Sequence, residues 1–226
     1  MLDKSVIVRR STLGLLEDLD EGLNWHYAIP EMVDLGLSVK WASFNVGASA
    51  PEEYGNYFAW GETEPKEDYS WSTYKWCKGS YTTMTKYCNN SICGYNGFTD
   101  YKAVLSPEDD AAAVNWGDRW RIPTLTECQE LLDNCTTIWT TLNGVYGRKF
   151  TSNKSGHTEK WIFFPAAGIR HGTSLDNAGS YGYYWSSSLY TDFPVFAYGV
   201  YFDSGSVNWD GSSRCYGLSV RPVQER

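Results

Sequence analysis

The chain has 226 residues and a formal net charge of −8, and 16% of its residues are aromatic, with 11 Trp and 17 Tyr. Such a length supports a sizeable core, and so many aromatics point to extensive packing and contact surface. The acidic balance, with no basic run beyond Arg9-Arg10, excludes the footprint that phosphate backbones require; no stretch is long and apolar enough for a membrane-spanning helix; and six cysteines are too few for a disulfide scaffold.

Residues 1–33 read as an N-terminal arm: a short Val6-Ile7-Val8 strand, then Ser11-Thr12 opening a short helix whose Leu13, Leu15 and Leu16 need a partner to bury them. That need makes the arm a candidate for homo-oligomerisation or docking. Its apolar run is too short for a signal-peptide core and is followed by charge, so no leader is expected here. From residue 34 to 226 a single domain is expected. Alternating Leu35, Leu37, Val39 and Trp41 predict a strand, and Gly47 a turn. Residues 66–104 are polar, rich in Tyr and Trp and without periodicity, which predicts a long surface insertion.

Two helices with good start signals follow. Ser106 is placed to cap one, with Pro107 first and Glu108, Asp109 and Asp110 in its opening turn, ending near Gly117. Thr124 to Glu127 is a capping box for a second, with Leu125, Cys128, Leu132 and Cys135 on one face. Strands then return at 147–151 and 161–165. Helices in the middle and strands afterwards predict an α+β class, with two helices packed on small antiparallel sheets and long irregular loops.

The tail has a different composition. From Trp161 through Gln224 there is no Lys and no Glu, and the span is filled with Tyr, Phe, Trp, Ser, Gly, Asn and Asp. Large rigid rings beside small hydrogen-bonding groups make a paratope-like mixture. Within it, residues 197–203 and 206–209 read as two strands joined by a turn at Asp203-Ser204-Gly205. A period of two lets one face pack while the other varies.

Catalytic and metal constellations do not present themselves. His26, His157 and His171 are scattered, no Ser/His/Asp order or paired-carboxylate motif stands out, and the cysteines lack zinc spacing. Neither a metal nor a cofactor is expected, and an enzyme is not the expected reading.

Several phrases taken together carry a resemblance: VDLGLSVKWASFNVGA, YFAWGETEP, WGDRWRIPT with Glu127 downstream, FPAAGIR, YYWSSS and GLSVRPV. Over about residues 33–223 the chain resembles the Bacteroidetes major paralogous domain proteins. That resemblance implies the C-type-lectin-like fold shared with formylglycine-generating enzymes. The enzymatic relatives rely on active-site cysteines in their C-terminal part, where this chain has only Cys215. Lectins of that fold bind calcium through paired carboxylate and amide oxygens. Glu62-Thr63-Glu64-Pro65 and Asn208-Trp209-Asp210 echo those ligand types without the order.

The tail further resembles the variable proteins of diversity-generating retroelements, whose C-terminal segment is rewritten at adenines. Over a variable region of about 185–223 this implies Tyr190, Phe193, Val195, Phe196, Gly199, Tyr201, Asp203, Ser206, Asp210, Gly211, Ser212, Ser213 and Tyr216 as replaced, ligand-contacting positions on one exposed surface. Trp185, Ala197, Val200, Phe202, Val207, Trp209 and Val220 would be the scaffold, with Arg214 and Arg221 bonded to loop carbonyls or to the tail of the chain. The implied function is a receptor-binding protein of a phage tail or virion, with a bacterial surface adhesin or a fixed-ligand lectin-like domain as alternatives. Its partner would be a cell-surface protein or glycan.

Overall fold

The computed structural model describes residues 30–226. Its strands are β1 (Met32–Val33), β2 (Val39–Ala42), β3 (Tyr57–Phe58), β4 (Cys135–Leu142), β5 (Val145–Ser152), β6 (Trp161–Pro165), β7 (Ile169–His171), β8 (Ser174–Asp176), β9 (Gly182–Leu189), β10 (Phe196–Phe202), β11 (Val207–Ser213), β12 (Leu218–Ser219) and β13 (Val223–Glu225). The α-helices are α1 (Ala111–Trp116) and α2 (Leu125–Asn134). The strands form a five-stranded sheet in the order β11-β10-β9-β12-β3, two three-stranded sheets, β1-β2-β13 and β4-β5-β6, and the β7-β8 ribbon.

The expectation of an α+β, C-type-lectin-like fold is overturned. The protein is mainly β, with 36% strand and 11% helix. The physical reason lies in how little of the chain the helices retain. The stretch opened by Ser106 does not run on to Gly117: it makes one 3-10 turn, Pro107–Asp109, and breaks at Asp110, whose backbone is extended at ψ 113°. The buried Asp110 carboxylate then accepts from the amides of Ala112, Ala113 and Ile122. It caps a helix of only six residues. The Thr124–Glu127 capping box forms as expected, but α2 buries Cys128 and Leu131, and Cys135 starts a strand instead of closing the helix face.

The N-terminal boundary moves as well. Of the expected 1–33 arm, residues 1–29 lie outside the described residues, and Met32 and Val33 pair with Ala42 and Trp41 as an edge strand of the domain.

Three apolar clusters make the core. The first joins α2 to β2, β5, β6, β9 and β10 through residues such as Trp41, Leu131, Phe150, Phe164, Tyr184 and Phe202. The second gathers Phe58, Trp60, Trp185, Ala197, Leu218 and Val220. A third contains Tyr69, Tyr74, Cys77, Met84 and Cys88 beside Cys215. Residues 66–104 are therefore not confined to the surface: Tyr69, Tyr74, Cys77, Met84 and Cys88 close the third cluster with Tyr57, Ala59, Ala167 and Cys215, and Tyr87 enters the second.

Candidate functional site

The tail that the composition singled out runs from β6 into β13, and its middle is the β9-β10-β11 part of the five-stranded sheet. β10 and β11 pair without interruption from Phe196↔Ser213 to Phe202↔Val207. The connecting turn is built by Asp203, whose Oδ1 accepts from the amides of Gly205 and Ser206 at 2.7 and 2.8 Å. Those amides hold the Asp203 carboxyl below its ordinary value. β11 runs on to Ser213, so Asp210–Ser213 lie on a strand beyond the expected end at Trp209.

Directly opposed residues of an antiparallel pair project to the same side, so the ribbon has two faces. One carries Phe196, Tyr198, Val200 and Phe202 opposite Ser213, Gly211, Trp209 and Val207; the other carries Ala197, Gly199 and Tyr201 opposite Ser212, Asp210 and Asn208. The candidate contact residues are consequently divided between two faces, not gathered on one.

On the first face Val200 and Phe202 are buried in the core, and beyond them the surface becomes an aromatic strip. Tyr198 lies between the Tyr190 ring, stacked at 4.6 Å, and the Trp209 ring at 5.7 Å. Phe193 and Phe196 each lie 6.4 Å from Tyr190, and Phe193 is 60% exposed. Trp209, expected in the scaffold, is 39% exposed and belongs to this strip. It sits opposite Val200 but on the outermost strand, where the core has ended. Ser206 is exposed, and Ser213 half-buried.

The second face holds a cleft of about 220 Å³, lined by Tyr183, Tyr201, Asp210, Ser212 and Leu218 with Gly199 among them. Gly199 has no room to change: a Cβ there would lie 2.5 Å from the Tyr184 carbonyl oxygen. Gly211 is constrained by a candidate neighbour, since its Cβ would come within 2.6 Å of the Tyr190 ring. Val195 and Tyr216 are half-buried against the second and third cores, with Tyr216 also 4.8 Å from the His171 ring. Of the thirteen candidates, Tyr190, Phe193, Phe196, Tyr201, Ser206, Asp210, Ser212 and Ser213 are half-buried or exposed and lie outside all three cores.

The ribbon's backbone is fixed from behind. The run Trp185-Ser186-Ser187-Ser188 is a bulge, because Gly199 pairs with Trp185 while Ala197 pairs with Leu189. Distant groups occupy the bulge: Trp60 Nε1 donates to the Ser186 carbonyl, the Leu105 amide donates to that of Ser187, and the Ser187 amide donates to Pro123. Trp185 is 1% exposed and donates from Nε1 to the Phe58 carbonyl.

Arg214 bonds to loop carbonyls, as expected, whereas Arg221 bonds to carbonyls of β2 and β6 and to one beyond the end of β2. The fully buried Arg214 donates to the carbonyls of Lys86, Tyr87 and Pro194 and to the Tyr74 hydroxyl. Arg221 donates to Ala42, Ser43 and Phe163 carbonyls and to Asn45 Oδ1. Burial pushes its guanidinium down to about 10.

The outer edge of β11 is partly closed to strand addition. Asp203 with Ser206 and Val195 with Arg214 are hydrogen-bonded partners, which in the alternating antiparallel pattern turns the amides of Trp209 and Gly211 outward. Each is capped by the side chain before it, Asn208 Oδ1 at 3.0 Å and Asp210 Oδ1 at 2.7 Å. An edge so capped does not offer those donors to another strand.

Elsewhere, His157 lies with Nδ1 2.9 Å from the Asp34 carbonyl oxygen, His171 is exposed, and His26 lies outside the described residues. Cys215 is buried, with its thiol pushed up to about 12 by that burial, and all six cysteines are unpaired. Among the described residues no group of three or more His, Cys, Asp or Glu is placed to hold a metal ion, and no helix is long and apolar enough to cross a membrane. Glu62 is buried and accepts from Lys66 Nζ and the Lys75 amide, while Asn208 and Asp210 cap the strand edge. Glu62, Asn208 and Asp210, from the two stretches that echoed calcium ligands, thus each hold a structural bond.

Sequence reasoning missed Tyr183 and Tyr198. For Tyr198 the available signal was its alternation with Ala197; Tyr183 shares the parity of the buried Trp185, so alternation does not mark it. A family model described as a domain of unknown function (DUF8237) matches residues 137–223. No curated protein and no solved structure matches the chain. The matched span starts inside β4 and ends at the first residue of β13, so it takes in the whole ribbon.

Proposed function

We propose that this chain is a receptor-binding protein whose C-terminal ribbon is a rewritten contact surface, the variable protein of a diversity-generating retroelement carried on a phage tail or virion. Its partner is a protein or glycan on a cell surface. The observation that carries the reading is the separation within one ribbon. Phe193 and Ser206 are exposed and Tyr190 and Tyr201 half-exposed, all outside the apolar clusters, while Trp185, Ala197, Arg214 and Val220 are buried and fix the backbone beneath them. Side chains outside the core are exchanged at small cost in stability, and exposed rings on a rigid frame supply binding area at low entropic cost. Affinity per site is modest on this reading, and several copies on one particle raise it by avidity.

The test is deep sequencing of the codons for 181–223 in a population carrying the gene. Substitutions are expected at Tyr190, Phe193, Phe196, Tyr201, Ser206, Asp210, Ser212 and Ser213, with Gly199, Trp185, Ala197 and Arg214 constant. A tail without variation, or one varying as much at buried as at outward positions, would overturn the reading.

A further inference from the structure

The cleft on the second face has a chemistry of its own. Tyr201 stands directly opposite Tyr183 on β9, and Asp210 directly opposite Gly199. Tyr181 lies nearly parallel to Tyr183 at 6.1 Å and extends the aromatic wall. The missing side chain at Gly199 gives the cleft its depth. Asp210 spends one oxygen, Oδ1, on the Gly211 amide, while its Oδ2 has no hydrogen-bond or ion-pair partner among the described residues. No Lys or Arg lines the cleft, and the tail's Arg214 and Arg221 are buried elsewhere. A carboxylate beside two phenol rings, with no cation of its own, is complementary to a positive group: the rings attract it through their faces and the carboxylate through a charge-assisted hydrogen bond.

We propose that this cleft receives a cationic side chain, Arg or Lys, projecting from a protein partner, with Tyr183 and Tyr201 against its stem and head and Asp210 Oδ2 as its acceptor. The inference rests on the reading of the ribbon as a contact surface and adds the chemical class that this copy of the ribbon selects. Gly199 cannot change and Tyr183 lies outside the candidate set, so the cleft's floor and one wall are constant; Tyr201, Asp210 and Ser212 tune it.

The test uses short Gly/Ser peptides that differ only at one central residue: arginine, its neutral isostere citrulline, or glutamate. Each is titrated into the whole protein at low ionic strength while the amide resonances of Gly199, Tyr201 and Ser212 are followed. The arginine peptide should shift these amides, the citrulline peptide should bind about tenfold more weakly, and the glutamate peptide should not bind. Asp210→Asn keeps an oxygen for the Gly211 amide and removes only the charge, so it should lower the arginine peptide to the citrulline level. Asp118→Asn, an exposed carboxylate beside α1, should change nothing. Equal binding of arginine and citrulline peptides, equal losses in the two variants, or no shift at saturating peptide would each overturn the proposal. Failure here would leave the population pattern at the candidate codons intact, and an invariant tail would overturn the contact-surface reading whatever the peptides do.

Discussion

Arg214→Met is expected to destabilise the protein by about 3–5 kcal/mol, from several buried acceptors left without a donor together with a packing defect. Arg214 is fully buried, and among the described residues it has no carboxylate partner; its charge is met instead by three carbonyls, a phenol oxygen and the rings of Trp60 and Tyr74 at 4.9 and 5.3 Å. The carbonyls belong to two different places, Lys86 and Tyr87 in the 66–104 segment and Pro194 in the loop that carries Phe193. One side chain thus ties the 66–104 segment to the ribbon. Denaturant unfolding should show the loss. Hydrogen exchange should rise first in 84–88 and 190–196, ahead of the first core. Arg214→Lys should restore only a small part, since an ammonium lacks the planar fork that reaches several carbonyls at once. A stability within about 0.5 kcal/mol of the parent, the range of an ordinary surface change, would contradict the role given to Arg214.

The second large effect separates two tryptophans of one sheet. Trp185→Ala should cost about 3–5 kcal/mol, the range for truncating a buried aromatic, because Trp185 is 1% exposed and its indole N–H is used by the Phe58 carbonyl. Trp209→Ala should cost under about 1 kcal/mol, as expected for a side chain outside the core. From sequence both belong to the scaffold, which would give each the larger value. Thermal melts of the two variants decide between the readings: equal and large losses would return Trp209 to the core.

The devices that are local in sequence were legible. The Thr124–Glu127 capping box, the Trp161–Pro165 strand, the Asp203 turn and the alternation along β10 each depend on neighbours within a few residues, and each is where the residues place it. What was not legible depends on distant partners. Nothing near Ser186 announces a bulge; it exists because Trp60, Leu105 and Pro123 occupy it from far along the chain. Residues 66–104 look polar and aperiodic because their core is made of scattered Tyr, Met and Cys closing on Cys215, with no helix or strand period to betray it. The helix at 107–117 failed for a similar reason, since Asp110 turns its carboxylate to Ile122 as well as to its own helix.

The site shows the same division. Composition marked the ribbon, and the period of two marked which side chains alternate. Gly199 reads from sequence like any other replaceable position, and only the approach of the Tyr184 carbonyl shows that glycine is required there. The outermost position of β11 decides Trp209, and strand order is not written in a local pattern.

The central claim is that a fixed frame carries exchangeable side chains, and a saturation scan of residues 181–223 read by protease resistance tests it most directly. Tolerance should be broad at Tyr190, Phe193, Phe196, Tyr201, Ser206, Ser212 and Ser213. It should be absent at Gly182, where a Cβ would meet the Phe202 ring, and at Trp185, Ala197, Gly199, Arg214 and Arg221. Intolerance at the outward positions equal to that at the buried ones would contradict the claim and leave an ordinary, evenly constrained β-domain.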